Sequence, residues 1–143
     1  MQVLGYNYRL PDIIAALGLS QLTRAEAGLK RRREIAEIYY QTFKSLPLVC
    51  STPVNGHAYH LYIIQTEQRL ELYNFLRTKN IYSQVHYIPV HTLPYYQQLG
   101  WKQGDFPVAE NYYSKCLSLP MYPSLSTEEL NFVIENITNF FNG

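Results

Sequence analysis

Cysteine is scarce in this 143-residue sequence: Cys50 and Cys116 stand far apart, and neither belongs to a Cys-x-x-Cys pair. That removes the zinc-ribbon and thioredoxin-like readings, while two free thiols suit a reducing compartment. An excess of one charge is missing too. Twelve basic residues against eleven acidic ones leave a net charge of +1, and a nucleic-acid-binding domain normally carries a basic surplus gathered on one face. No apolar run approaches the roughly 20 residues of a membrane-spanning helix. The opening MQVLGYNYR contains no apolar signal segment, so a cytoplasmic location is expected, with neither membrane nor nucleic acid as a partner. Gly-x-Gly-x-x-Gly, a phosphate loop and a Gly-x-Ser-x-Gly elbow are all absent, which leaves dinucleotide, NTPase and α/β-hydrolase chemistry without their usual supports. Neighbouring carboxylates are sparse, and Glu128-Glu129 sit at a helix start, where they complement the helix dipole.

What is present describes a folded domain. Hydrophobic residues make up 47% of the chain, with no low-complexity tract and no internal repeat, and the length suits one core without staples. Pro11-Asp12 is a good helix start, and Ile13, Ile14, Leu17 and Leu22 follow with helical spacing. Gly18 inside that helix suggests a close backbone approach. A second helix is expected from about Arg24 to Leu46, striped by Leu29, Ile35, Ile38, Tyr39 and Phe43 and stopped by Pro47. Its run Lys30-Arg31-Arg32-Arg33 reads as a solvated face.

Strands are expected at 48–51, 60–65, 81–87 and 117–119. A helix over 68–79, with Leu70, Tyr73 and Leu76 on one side, is ended by Asn80, and another covers 108–116. Ser126 and Glu129 form a Ser-x-x-Glu capping box before a last helix with Leu130, Val133, Ile134 and Ile137 inward. The expected fold class is α/β of the α+β kind: a small, mainly antiparallel sheet with helices packed on one face.

The irregular stretch Ile88 to Pro107, rich in proline and aromatics, is the candidate for function, because loops carry function more often than regular elements do. It holds His91. Of the other histidines, His57-x-x-His60 lacks a supporting cysteine or carboxylate for a metal, and His60 at a strand start reads as a packing residue. No metal site is expected. Fourteen tyrosines against one tryptophan suit stacking on rings and hydroxyl contacts in nucleotide or sugar sites, and equally suit half-buried packing.

The segment GYNYRLPDIIAALGLSQL, Gly5 to Leu22, resembles a signature of the nucleotide-sugar aminotransferases of the DegT type, in fold type I of the aspartate aminotransferase superfamily. The resemblance continues in order through Arg32-Arg33, HAYHLYIIQ at 57–65, VHYIPVHTLPYY at 85–96 and LGWKQGDFPVAENYYSKCLSLPMYPSLS at 99–126, covering essentially the whole chain. It is similar above all to the branch serving pseudaminic acid synthesis.

The resemblance implies that residues 1–143 are the C-terminal small domain of such an enzyme, with the interdomain helices at about 10–46 and the large, lysine-bearing domain absent. The parent would use pyridoxal 5′-phosphate (PLP) to move an amino group from glutamate to C4 of a UDP-linked 4-keto-6-deoxy sugar, as a homodimer. The fragment itself is expected to be inactive and to hold no cofactor, because none of Lys30, Lys44, Lys79, Lys102 or Lys115 lies in the family's Schiff-base lysine motif. By the same resemblance Asn7 reaches the cofactor phosphate of the neighbouring subunit, Arg9 pairs with substrate phosphate or carboxylate, and His91, with Tyr87 beside it, approaches the sugar nucleotide, where His91 would bond a phosphate or a hydroxyl. Loss of the large domain would expose an apolar patch on Pro11 to Leu22. Two other readings stand beside this one: a stand-alone nucleotide-sugar-binding or dimerisation module, and part of a PLP-dependent sugar dehydratase.

Overall fold

The computed structural model describes residues 8–143. One long helix, α1 (Asp12–Phe43), occupies the region where two were expected. No proline stands between Pro11 and Pro47, and Thr23 turns its hydroxyl back onto the Ser20 carbonyl at 2.7 Å. Ala, Glu, Leu, Lys and Arg after it are strong helix formers, so the turn continues. The helix opens with Pro11 as its N-cap and Asp12 in the first turn.

The sheet has three antiparallel strands in the order β1 (Val49–Cys50), β2 (Tyr62–Gln65), β3 (Cys116–Leu119). Val49 pairs with Gln65, and Tyr62 with Leu119. The expected strand at 81–87 is reduced to a single bridge, Gln84 with Ser118, whose two backbone bonds measure 3.0 and 2.7 Å. Its period-two burial is real, with Ile81 and Ser83 buried and Tyr82 and Gln84 exposed, but only one residue meets the short β3. Helix α2 (Arg69–Thr78) buries Leu72 and Leu76 and leaves Leu70 out, so its inner face is turned from the expected one. Asn80 does follow it with φ +57, the left-handed conformation asparagine tolerates.

A 3-10 turn (Val90–Thr92) and a short α3 (Pro94–Gln97) order part of the stretch read as irregular. Then come α4 (Pro107–Lys115) and α5 (Thr127–Asn142). Both reciprocal bonds of the Ser126–Glu129 capping box are formed. The core joins Ile35, Tyr39 and Phe43 of α1 to Tyr62 and Ile64 of β2, Leu72 and Leu76 of α2, and Leu130, Val133 and Ile137 of α5. Tyr39 stacks on Phe43 and lies against Tyr62, and its hydroxyl donates to the Pro120 carbonyl at 3.0 Å.

The arginine run is not a solvated face. Arg31 donates to the Leu125 carbonyl, Arg32 to those of Tyr59, His60 and Met121, and Arg33 to that of His57. All three Arg32 bonds leave the one nitrogen Nη1, so one side chain of α1 ties down the two loops that flank the sheet. Nor does Gly18 admit a close neighbour: an added Cβ there would meet no atom within 4 Å among the described residues. The close approach is nearly three turns further along the helix, at Gly28, where an added Cβ would lie 3.3 Å from Pro123.

Candidate functional site: the loop around His91

The segment after Ile81 is anchored to β3 before it becomes a loop. His86 Nδ1 lies 2.9 Å from the Ser118 hydroxyl, and the Cys116 thiol donates to the His86 carbonyl. Beyond this anchor the chain turns outward. Tyr87 is 70% exposed, with Ile88 and Val90 also reaching solvent. Thr92 closes the 3-10 turn by donating both its backbone N–H and its hydroxyl to the Pro89 carbonyl, at 2.9 and 2.7 Å.

His91, inside this turn, is only 8% exposed. Its Nε2 lies 2.7 Å from Glu110 Oε1 on α4, and its ring packs against Phe106 at 4.8 Å between centroids. The same Glu110 oxygen accepts the backbone N–H of Gly104 at 2.7 Å and, more weakly, that of Phe106 at 3.4 Å. Gly104, with φ +97, provides the turn that aims its N–H there. The hydrogen bond from His91, and after it that from Gly104, hold the Glu110 carboxyl below the usual carboxylate range. Trp101 leans on Phe106 at 5.5 Å. Together Pro89, Val90, His91, Tyr96, Trp101 and Phe106 line an open hollow of about 360 Å³. Its walls are aromatic and apolar, with an imidazole among them, a combination that suits a ring flanked by hydroxyls.

Of the residues singled out in the sequence, Tyr87 and His91 lie on this same segment, but only His91 lines the hollow, while the Tyr87 ring packs against His86. Arg9 is exposed in the lead-in to α1 and lines none of the hollows described. Asn7 lies outside the described residues. His60 is exposed and serves through its carbonyl, while Tyr59 and Tyr62 on either side take the buried positions. His57 uses its ring locally, accepting the Tyr59 N–H on Nδ1 at 2.9 Å. Among the described residues no three of His, Cys, Asp and Glu gather as a metal site. Glu110 escaped the sequence reading; its only trace there is a carboxylate one turn into a helix opened by Pro107.

The chain belongs to the DegT/DnrJ/EryC1/StrS aminotransferase family, whose model matches residues 1–138. Among its relatives is the spore coat polysaccharide biosynthesis protein SpsC of Bacillus subtilis, 43% identical over 97% of this chain and 39% of that protein. A GDP-perosamine synthase of Escherichia coli O157:H7 is 39% identical over 97% of this chain and 38% of its own length. Among solved structures, Helicobacter pylori PseC, an aminotransferase of pseudaminic acid biosynthesis, superimposes with a TM-score of 0.86 at 30% identity, covering 99% of this chain and 40% of that one. The chain thus spans about two-fifths of the length of these relatives. No helix among the described residues is long and apolar enough to cross a membrane.

Proposed function

We propose that this chain is the C-terminal portion of a PLP-dependent aminotransferase that moves an amino group from an amino acid such as glutamate to a nucleotide-linked keto sugar for surface glycan synthesis. The substrate taken as most fitting is a UDP-linked 4-keto-6-deoxy sugar, in keeping with the likeness to PseC. The carrying observation is the His91 hollow, an aromatic pocket on the loop that follows the exposed Tyr87, within the stretch matched by the family model. His91 and Tyr87 contact the sugar nucleotide, Arg9 pairs with its phosphate or carboxylate, and Asn7 reaches the cofactor phosphate across a homodimer interface. The cytoplasm, where sugar nucleotides are made, is the expected compartment.

The cofactor would serve as electron sink while the amino group is passed on. The described residues do not fit it as a seat. No lysine lines the His91 hollow, and others are engaged elsewhere: Lys44 bonds Gln41, Lys79 sits over Phe75 and Lys115 pairs with Glu67 at 2.6 Å. The Schiff-base lysine is therefore expected outside residues 8–143, and no step through the cofactor is drawn from them. What these residues can do is bind and orient: an apolar wall excludes water from one face of the sugar, and an imidazole fixes one polar atom.

The test is amino transfer by the protein as its gene encodes it, supplied with PLP, glutamate and a UDP-4-keto-6-deoxy sugar. Equal amounts of 2-oxoglutarate and amino sugar are expected, with a raised KM in His91→Ala. Absence of 2-oxoglutarate with a sugar-dependent loss of water would point to a dehydratase instead. A second reading, a binding module without chemistry, rests on the same His91 hollow. Calorimetric heat from a UDP-sugar and the 143-residue chain, lost in His91→Ala, would support it.

A further inference from the structure

We propose that Glu110 is the positioning residue of His91, and that it makes His91 a hydrogen-bond acceptor, selecting a hydroxyl of the bound sugar over a phosphate. This rests on the reading of His91 as a substrate-contacting residue. The argument starts from a count of protons. Glu110 Oε1 already faces two backbone N–H groups, those of Gly104 and Phe106. Each is an obligate donor, and an oxygen that accepts both carries no proton of its own. The third group at that oxygen, His91 Nε2 at 2.7 Å, must then be an N–H donating to it. In a neutral imidazole one nitrogen donates and the other accepts. With the proton on Nε2, Nδ1 has a lone pair and nothing to give.

The surroundings hold this arrangement in place. His91 is nearly enclosed, wedged against Phe106, and its ring has no other hydrogen bond among the described residues. Glu110 joins three segments through one oxygen: the 3-10 turn of His91, the Gly104 turn and the first turn of α4. Rotation of the ring would break the His91 bond and cost the Glu110 carboxylate one of the three donors gathered on Oε1. His91 lines the hollow, and Nδ1 is the ring nitrogen without a hydrogen bond among the described residues, so a polar contact of the ring with a ligand there is made through a bare nitrogen. A phosphate oxygen offers no proton to that nitrogen; a sugar hydroxyl does.

Selective 15N-histidine labelling of the protein as its gene encodes it reads the tautomer directly, with His91→Gln identifying the resonance. At pH 8 without ligand, a protonated Nε2 and a bare Nδ1 are expected. A proton on Nδ1 alone, or on both nitrogens, overturns the inference whatever any ligand does. Glu110→Gln keeps an acceptor oxygen and should keep the tautomer, while Glu110→Ala should let both forms appear. The ligand arm uses UDP and UDP-N-acetylglucosamine as probes. The sugar conjugate should move the Nδ1 resonance and UDP should not, and Glu110→Ala should weaken the conjugate roughly three- to tenfold, the worth of one neutral hydrogen bond, with UDP changed by under about twofold. Equal weakening of both probes overturns the selection of hydroxyl over phosphate. A correct tautomer with Nδ1 silent to both probes overturns the substrate-contacting role of His91 itself, so the two failures are told apart.

Discussion

The two halves of α1 are built from the same kinds of residue and meet opposite fates. The rear half buries Ile35, Ala36, Tyr39 and Phe43 and sends Arg31, Arg32 and Arg33 to carbonyls of distant loops. The front half leaves Ile13 82% exposed and Leu17 57% exposed, with Ile14, Leu19 and Leu22 also in solvent. At about 100° per residue, Ile13 and Leu17 fall on one side of the helix and Leu19 and Leu22 on the other. A helix that is apolar on both sides is one made to be surrounded. The exposed patch expected on Pro11 to Leu22 is therefore there, and the difference between the halves is one of neighbours, since propensity continues unbroken along the whole helix.

The largest break in that comparison should come from truncating one residue in each half. Phe43→Ala should cost about 3–5 kcal/mol, the usual range for a fully buried aromatic, read from denaturant unfolding of the 143-residue chain. Leu17→Ala in the same chain should stay within about 0.5 kcal/mol. A comparable loss at Leu17 would mean that the front half is already covered in solution, for example by a second copy. Next in size is Arg32→Ala, which strands the carbonyls of Tyr59, His60 and Met121. A loss of about 1.5–3 kcal/mol is expected, as for hydrogen bonds to a charged group. Arg32→Lys should recover only part of it: all three bonds leave the one nitrogen Nη1, and the shorter lysine stem sets its ammonium back from that point.

The rear half also carries a pH signature. Burial, and then the nearby Tyr122, push the Tyr39 hydroxyl well above the ordinary tyrosine range, and burial does the same to Tyr62. A raised folded value gives stability that is full below the unfolded pKa, near 10 for tyrosine, and is lost as pH rises through the folded one. Thermal melting should therefore fall steeply above about pH 10, and Tyr39→Phe should flatten that fall. Glu110 acts in the opposite direction. Its depressed value gives stability present above the ordinary carboxylate range and lost as pH falls through the folded value. Below about pH 4 the His91 loop should loosen before the core does, seen as earlier amide exchange at Gly104 and Phe106.

How far the sequence could be read follows the same division between local and distant partners. The capping box at Ser126 and Glu129, the end of α2 at Asn80 and the inward set Leu130, Val133, Ile134 and Ile137 involve neighbours a few residues away, and the structure agrees with each, Ile134 being half-buried against the core. The arginine run was misread because its acceptors lie 24 to 94 residues away. The segment 81–87 alternates as a strand should, yet whether alternation becomes a ladder depends on the length of the partner, and β3 has four residues. In the candidate site, Tyr87 and His91 stood out by their segment, while Glu110 did not, because nothing local says that a carboxylate on α4 will meet an imidazole 19 positions earlier.

The smallest expected effect gives the sharpest view of the front half. Gly18 sits mid-helix with open space around it among the described residues, where glycine costs about 0.5–1 kcal/mol relative to alanine. Gly18→Ala in the 143-residue chain should therefore slow amide exchange across Ile14 to Leu22 by a few-fold and leave global unfolding nearly unchanged, since few core contacts depend on that turn. The same substitution in the protein as its gene encodes it makes a stricter test. If the front half is enclosed there by packed backbone, the missing Cβ is a fitted surface, and Gly18→Ala should then destabilise the assembly while still stabilising the isolated helix. Opposite signs in the two settings would assign the exposed face of α1 to an interface with close backbone contact. Equal stabilisation in both would mean that whatever covers the front half touches its leucines and isoleucines and stays clear of Gly18.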